Sequence, residues 1–144
     1  TLINSSSFRM PRAFINEWCE EIYYCIRKKK IRMLKQQMLT IVFLNLSPAK
    51  ALNFKYRQKN YATDILSFDG DGVESLGELV LCPQVLKKQA QDHGLSFRQE
   101  LGYMLIHGVL HLLRYDHEKN QTDAKVMFQI QDEIFEQLSR HFWS

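Results

Sequence analysis

Residues 38 to 46, MLTIVFLNL, do most to limit what this chain can fold into. They are β-branched and apolar on both of the faces that alternate side chains of a strand present, which predicts a buried central strand. Such a strand needs cover, and the flanking sequence is patterned to supply it. Phe14, Ile15, Trp18, Cys19, Ile22 and Ile26 recur at spacings of three and four, predicting an amphipathic helix over residues 10 to 30. Ser47-Pro48 predicts a second helix to about Arg57, with Ser47 as N-cap.

Two more strands are expected at Asp64–Phe68 and Leu76–Cys82, joined by the polar turn Asp69-Gly70-Asp71-Gly72 as an antiparallel hairpin. Pro83 opens a helix that stops at Gly94. Ser96 and Gln99 form a capping box ahead of a helix with Leu101, Leu105, Val109 and Leu112 along one side. A last helix spans about Thr122 to Phe142, with Val126, Ile130, Ile134 and Leu138 as its apolar row. The order predicts a single α+β domain over residues 1–144: a small mixed sheet of three to four strands covered by five to six helices. With 45% apolar residues the chain can build its core without disulfides or a structural metal.

Charge and cysteine usage narrow the function classes. The net charge of +3 suits a nucleic-acid partner without demanding one. Arg27, Lys28, Lys29, Lys30, Arg32 and Lys35 cluster near the end of the first helix, either as a phosphate-facing patch or as a solvated helix end. Cys19, Cys25 and Cys82 are odd in number and lack a C-x-x-C pair, which argues against a disulfide framework and against a cysteine zinc site. A reducing, cytoplasmic location is expected. No apolar run of about 18 residues predicts a membrane span, and Thr1 to Arg9 carry no secretory pattern.

The chemistry concentrates in Leu105 to Glu118, LIHGVLHLLRYDHE. His107 and His111 lie four apart on a helix, so both imidazoles leave one face about one turn apart. His117 follows past the expected helix end, where a chain that turns back can bring it to the same point. Three neutral imidazoles leave a fourth position open on a bound zinc, the arrangement of a catalytic site. Such an ion lowers the pKa of bound water to about 7 and polarises a phosphoryl oxygen. The spacing also matches metzincin peptidases. Those enzymes require Glu directly after the first His, however, and here that position is Gly108, while Arg114 replaces the glycine that ends their helix. The alternative is a structural coincidence of helix histidines. His93 and His141 fall outside the cluster and receive no role.

His107-Gly108-Val109-Leu110-His111-Leu112-Leu113-Arg114-Tyr115-Asp116-His117 resembles the signature of the YbeY family, metal-dependent endoribonucleases of ribosomal-RNA maturation. Two further stretches resemble the same family. One is Asn53-Phe54-Lys55-Tyr56-Arg57 followed by Tyr61-Ala62-Thr63-Asp64-Ile65-Leu66-Ser67-Phe68; the other is Leu76-Gly77-Glu78-Leu79-Val80-Leu81-Cys82. The likeness covers roughly residues 36 to 140.

It implies one zinc ion on His107, His111 and His117, and a cleft arginine at Arg57 that clamps phosphate through a planar, permanently charged fork. It implies cleavage of single-stranded ribosomal-RNA precursor in small-subunit 3′-end maturation and ribosome quality control. Ribosomal or assembly-factor proteins are expected partners. Asp64, Glu78 and Asp116 are candidates for the general base, and Asp116 could instead orient a ligand imidazole. Departures from the family pattern are Arg114 for glycine, Asp69 for proline, Glu78 for the shorter acid, and an N-terminal strand that is weak or missing in Thr1 to Arg9. The rival readings are a non-catalytic RNA-binding assembly factor with a structural metal, and a metal-dependent hydrolase of another substrate.

Overall fold

The computed structural model describes residues 1–29, 38–71, 74–113 and 121–143. The elements are β1 (Leu2–Asn4), α1 (Arg12–Lys28), β2 (Met38–Phe43), α2 (Leu46–Arg57), β3 (Ile65–Asp69), β4 (Ser75–Leu81), α3 (Pro83–His93), α4 (Phe97–Leu112) and α5 (Gln121–Phe142). The sheet runs β1-β2-β4-β3. β1 and β4 pair parallel to β2, with a register irregularity at Met38/Leu39, and β3 returns antiparallel to β4. The expected α+β architecture, the mixed sheet and the hairpin therefore hold.

The weak or missing N-terminal strand does not hold. Leu2, Ile3 and Asn4 pair with Ile41, Val42 and Phe43. Three residues suffice because an edge strand borrows its register from a long, apolar neighbour. The start of α2 also moves: Asn45, not Ser47, is the N-cap. The Asn45 carboxamide oxygen does not cap the helix. It accepts hydrogen bonds from Ser7 N at 3.1 Å and Gln84 Nε2 at 3.2 Å, tying the N-terminal segment to α3. Pro48 still falls in the first turn, where its missing N–H costs nothing. The β4 strand ends at Leu81, so Cys82 becomes the N-cap of α3. The Gly94 stop adopts φ 68°, and Ser96 and Gln99 complete the capping box of α4.

Helix α4 is the axis of the molecule. Leu101, Leu105, Ile106, Val109, Leu110 and Leu112 are buried around most of its circumference. One side meets β3 and β4, and the others meet α1, α3 and α5. A helix that is apolar all round is one that is enclosed. Two glycines let it approach its neighbours. A Cβ at Gly108 would stand 2.7 Å from Ile65 Cδ1 and 2.7 Å from Leu79 Cδ2, and one at Gly102 would stand 2.7 Å from Trp18 Cζ2.

Trp18 is fully buried, donates its indole N–H to Gly102 O at 2.9 Å, and sits among Phe14, Phe135, Phe142 and Trp143. On α5 the expected apolar row is corrected: Val126 is 43% exposed, and Met127, Gln131, Ile134 and Leu138 are the buried residues. Steps of four advance about 400° on a helix of 3.6 residues per turn, so a strict four-residue row drifts off the buried face.

Candidate functional site

A cavity of about 1080 Å³ opens where α2, β3, α3, α4 and α5 meet, and Arg57, Asp64, His93, Glu100, His107 and His111 are all in its wall. Helix α4 contributes a single stripe, Glu100, Tyr103, Met104, His107 and His111, at helical spacings of three and four. Two of the expected ligands are thus brought together: the His107 and His111 rings lie 4.8 Å apart, tilted by 59°. The third, His117, lies outside the described residues, as do Arg114, Tyr115 and Asp116.

The pose of His107 is set from α5. Its Nδ1 lies 3.1 Å from Gln131 Oε1, and Gln131 is 2% exposed. Where this carboxamide oxygen accepts from Nδ1–H of the neutral ring, Nε2 is left as the nitrogen with a lone pair. That is the tautomer a metal-binding imidazole needs, held by an outer partner that accepts from the opposite nitrogen. Imidazole nitrogens bind zinc at about 2.0–2.1 Å, and two rings at this separation can share one ion. The two imidazoles can therefore offer two donors to a divalent metal. Among the described residues no group of three histidine, cysteine or acidic side chains converges.

Gln131 belongs to a set that pattern reading missed. Among the described residues three polar or charged side chains are buried: Asn53, Glu100 and Gln131. Glu100 and Gln131 line the cavity, and Asn53 lies on α2 behind it. Asn53 Nδ2 donates to Tyr61 O at 2.8 Å, tying the chain beyond Arg57 back onto α2. The turn it closes passes through Gln58 in the left-handed conformation. Glu100 Oε2 lies 2.9 Å from His93 Nδ1, and this carboxylate holds the imidazole pKa above its ordinary 6.5. His93, to which the sequence assigns no role, lines the cavity. The available signal was polarity in an apolar register. Glu100 precedes His107 by seven residues on the same face, and Gln131 interrupts the buried row of α5.

Arg57, the last residue of α2, is exposed and faces the cavity. Asp64 also faces it, but its Oδ1 accepts from Ile65 N at 2.7 Å and its Oδ2 from Gln89 Nε2 at 3.2 Å. Those bonds make it an anchor for the start of β3. Glu78 is corrected as a candidate base: it is exposed on β4 and is not in the cavity wall.

The cysteines are free. Burial pushes the Cys19 thiol up to about 12 and raises Cys25, so neither offers a ready thiolate. Arg27 and Lys28 end α1, with the Arg27 guanidinium over Tyr23, and Lys29 pairs with Glu133. That part of the basic cluster is a solvated helix end; Lys30, Arg32 and Lys35 lie outside the described residues.

Comparison with known proteins agrees with this arrangement. Residues 3–139 match the family model described as endoribonuclease YbeY. A Bdellovibrio bacteriovorus protein named endoribonuclease YbeY is 52% identical over 139 residues, covering 95% of this chain and 93% of its own length. The Persephonella marina protein of the same name is 42% identical over 72% of each chain, and that of Staphylococcus carnosus is 36% identical over 78% and 81%. The solution structure of TM1509 from Thermotoga maritima shares the fold, with a TM-score of 0.69 at 23% identity over 98% of this chain and 89% of that one. The family model and these relatives show that this chain belongs to the endoribonuclease YbeY family.

Proposed function

We propose that this protein is a zinc-dependent endoribonuclease that cleaves single-stranded ribosomal-RNA precursor, acting in small-subunit 3′-end maturation and ribosome quality control. One zinc ion is held by His107, His111 and His117. The observation that carries the reading is the pairing of His107 and His111 on one face of α4, with His107 Nδ1 3.1 Å from buried Gln131 Oε1, in a cavity shared with Arg57. A peptidase is disfavoured chemically, because Gly108 stands where the peptidase base would be.

When bound, the metal supplies Lewis acidity toward a phosphoryl oxygen and a more acidic water. Arg57 binds the phosphodiester and stabilises the charge that grows on its oxygens, because its fork matches two of them at once. His107 and His111 would hold that ion, and Gln131, 3.1 Å from His107 Nδ1, sets the pose of the His107 ring. Among the described carboxylates in the cavity wall, Asp64 and Glu100 are both engaged by neighbours, so Asp116 remains the stronger candidate for the base.

The 144 residues act as one domain, with ribosomal or assembly-factor proteins as partners. Three free thiols support a reducing, cytoplasmic setting.

The test is cleavage of a single-stranded ribosomal-RNA fragment by purified protein, with zinc added or removed by chelator, for the parent, Arg57→Ala and His111→Ala. Loss of cleavage in both variants and in chelator is expected. A metal-loaded parent that binds RNA and never cuts it overturns the reading in favour of a binding factor. Cleavage that survives both substitutions removes the site.

A further inference from the structure

We propose that Tyr56 is a stacking platform for one unpaired nucleobase of the RNA, beside the phosphate that Arg57 holds. The inference rests on the RNA reading above and adds to it a binding subsite that accounts for single-strand selectivity.

The segment Asn53 to Tyr61, NFKYRQKNY, interleaves aromatic and cationic residues. Phe54, Tyr56 and Tyr61 are 56%, 56% and 54% exposed. Of these three rings only Tyr56 reaches the cavity that holds His107 and His111, and its sequence neighbour Arg57 reaches it too. The Tyr56 ring is already oriented. It meets Phe68 of β3 edge-on at 5.1 Å and 73°, and Lys55 Nζ stands 5.3 Å from its centroid. A ring held in place before the ligand arrives loses little side-chain freedom on binding. Its exposure also has no packing rationale in the fold, since the core aromatic cluster around Trp18 is complete without it.

An exposed, oriented aromatic flanked in sequence by Lys55 and Arg57, opening on a cavity of mixed polar and apolar lining, is the device that single-stranded nucleic-acid sites use. Bases stack on rings while arginine and lysine track the phosphates. Paired bases are stacked on one another and present no face to such a ring, so duplex RNA does not engage it. Adjacent positions at the end of α2 then divide the work: Arg57 takes a phosphate, and Tyr56 takes a base next to it.

The experiment is fluorescence anisotropy with labelled single-stranded oligouridylate and with the same strand annealed to its complement. Chelator keeps cleavage from competing, and the parent, Tyr56→Ala, Tyr56→Phe and Tyr56→Trp are compared. Tyr56→Ala is expected to weaken single-strand binding about 5- to 150-fold, the effect of losing one stacked base, while Phe and Trp keep parental affinity and duplex binding is unchanged. An abasic scan along the oligonucleotide supplies a second reading that leaves the protein intact. One abasic position should weaken the parent and leave Tyr56→Ala unaffected.

Parental single-strand affinity in Tyr56→Ala, equal losses on single strand and duplex, or abasic effects that are the same in both proteins each overturn the proposal. Cleavage by the parent separates this from the activity itself. Cutting without dependence on Tyr56 removes the platform and keeps the endoribonuclease, and Tyr56-dependent binding without cutting does the reverse. A parent that binds no RNA removes both.

Discussion

Replacing Gln131 by Met removes the acceptor that orients His107 while nearly conserving volume. In the metal-free protein two effects oppose. The half-buried His107 Nδ1–H loses its 3.1 Å partner, which costs about 1 kcal/mol, the low end for an unsatisfied donor because water reaches that ring. Met returns a similar amount by burying apolar surface at a position that is 2% exposed. The apo melting temperature should therefore move by no more than about 3 °C.

The metal-loaded state does not share this cancellation. The bond that favours the tautomer with Nε2 unprotonated is then gone, and loss of such an outer partner lowers metal affinity about 10- to 100-fold, or about 1.4–2.7 kcal/mol. Competition against a chromophoric zinc chelator measures the affinity, and calorimetry with and without zinc measures the two stabilities. Gln131→Glu, which keeps an acceptor at the same place, should restore tight binding. A Gln131→Met protein that holds zinc as firmly as the parent, or one whose apo form alone is crippled, refutes the reasoning.

Two other outcomes follow from packing and charge. Gly102→Ala should destabilise by about 1–3 kcal/mol, whereas Gly108→Ala should come out within about 1 kcal/mol of the parent, as read by urea denaturation. The added methyl at Gly102 meets a rigid, fully buried indole; at Gly108 it meets side-chain ends that can yield, and a helix-propensity gain of about 1 kcal/mol offsets the strain. The His93–Glu100 pair has a folded imidazole pKa above its ordinary value. Its stabilisation is therefore complete below 6.5 and fades as pH rises through the raised folded value. His93→Gln should flatten that part of the pH–stability curve, and an unchanged curve would count against the pair.

How far the sequence spoke depends on the range of the interaction. Apolar periodicity, proline and glycine punctuation and the Ser96 capping box are local, and they placed α1, α3, α4, β2 and the β3–β4 hairpin closely. The four-residue spacing of His107 and His111 likewise dictated that they share a helix face. What stayed illegible was set by partners distant in the chain. The register of three-residue β1 comes from β2, some 39 residues away. Gln131 reads as an ordinary polar residue until α5 is laid against α4, and His93 reads as a helix end until Glu100 is buried beneath it. Chain order alone determined which imidazoles could meet. Only the packing of α3 and α5 against α4, with the end of α2 in the cavity wall, decided which side chains hold, charge and flank them, because a buried polar group must find its partner in space and no local pattern names it.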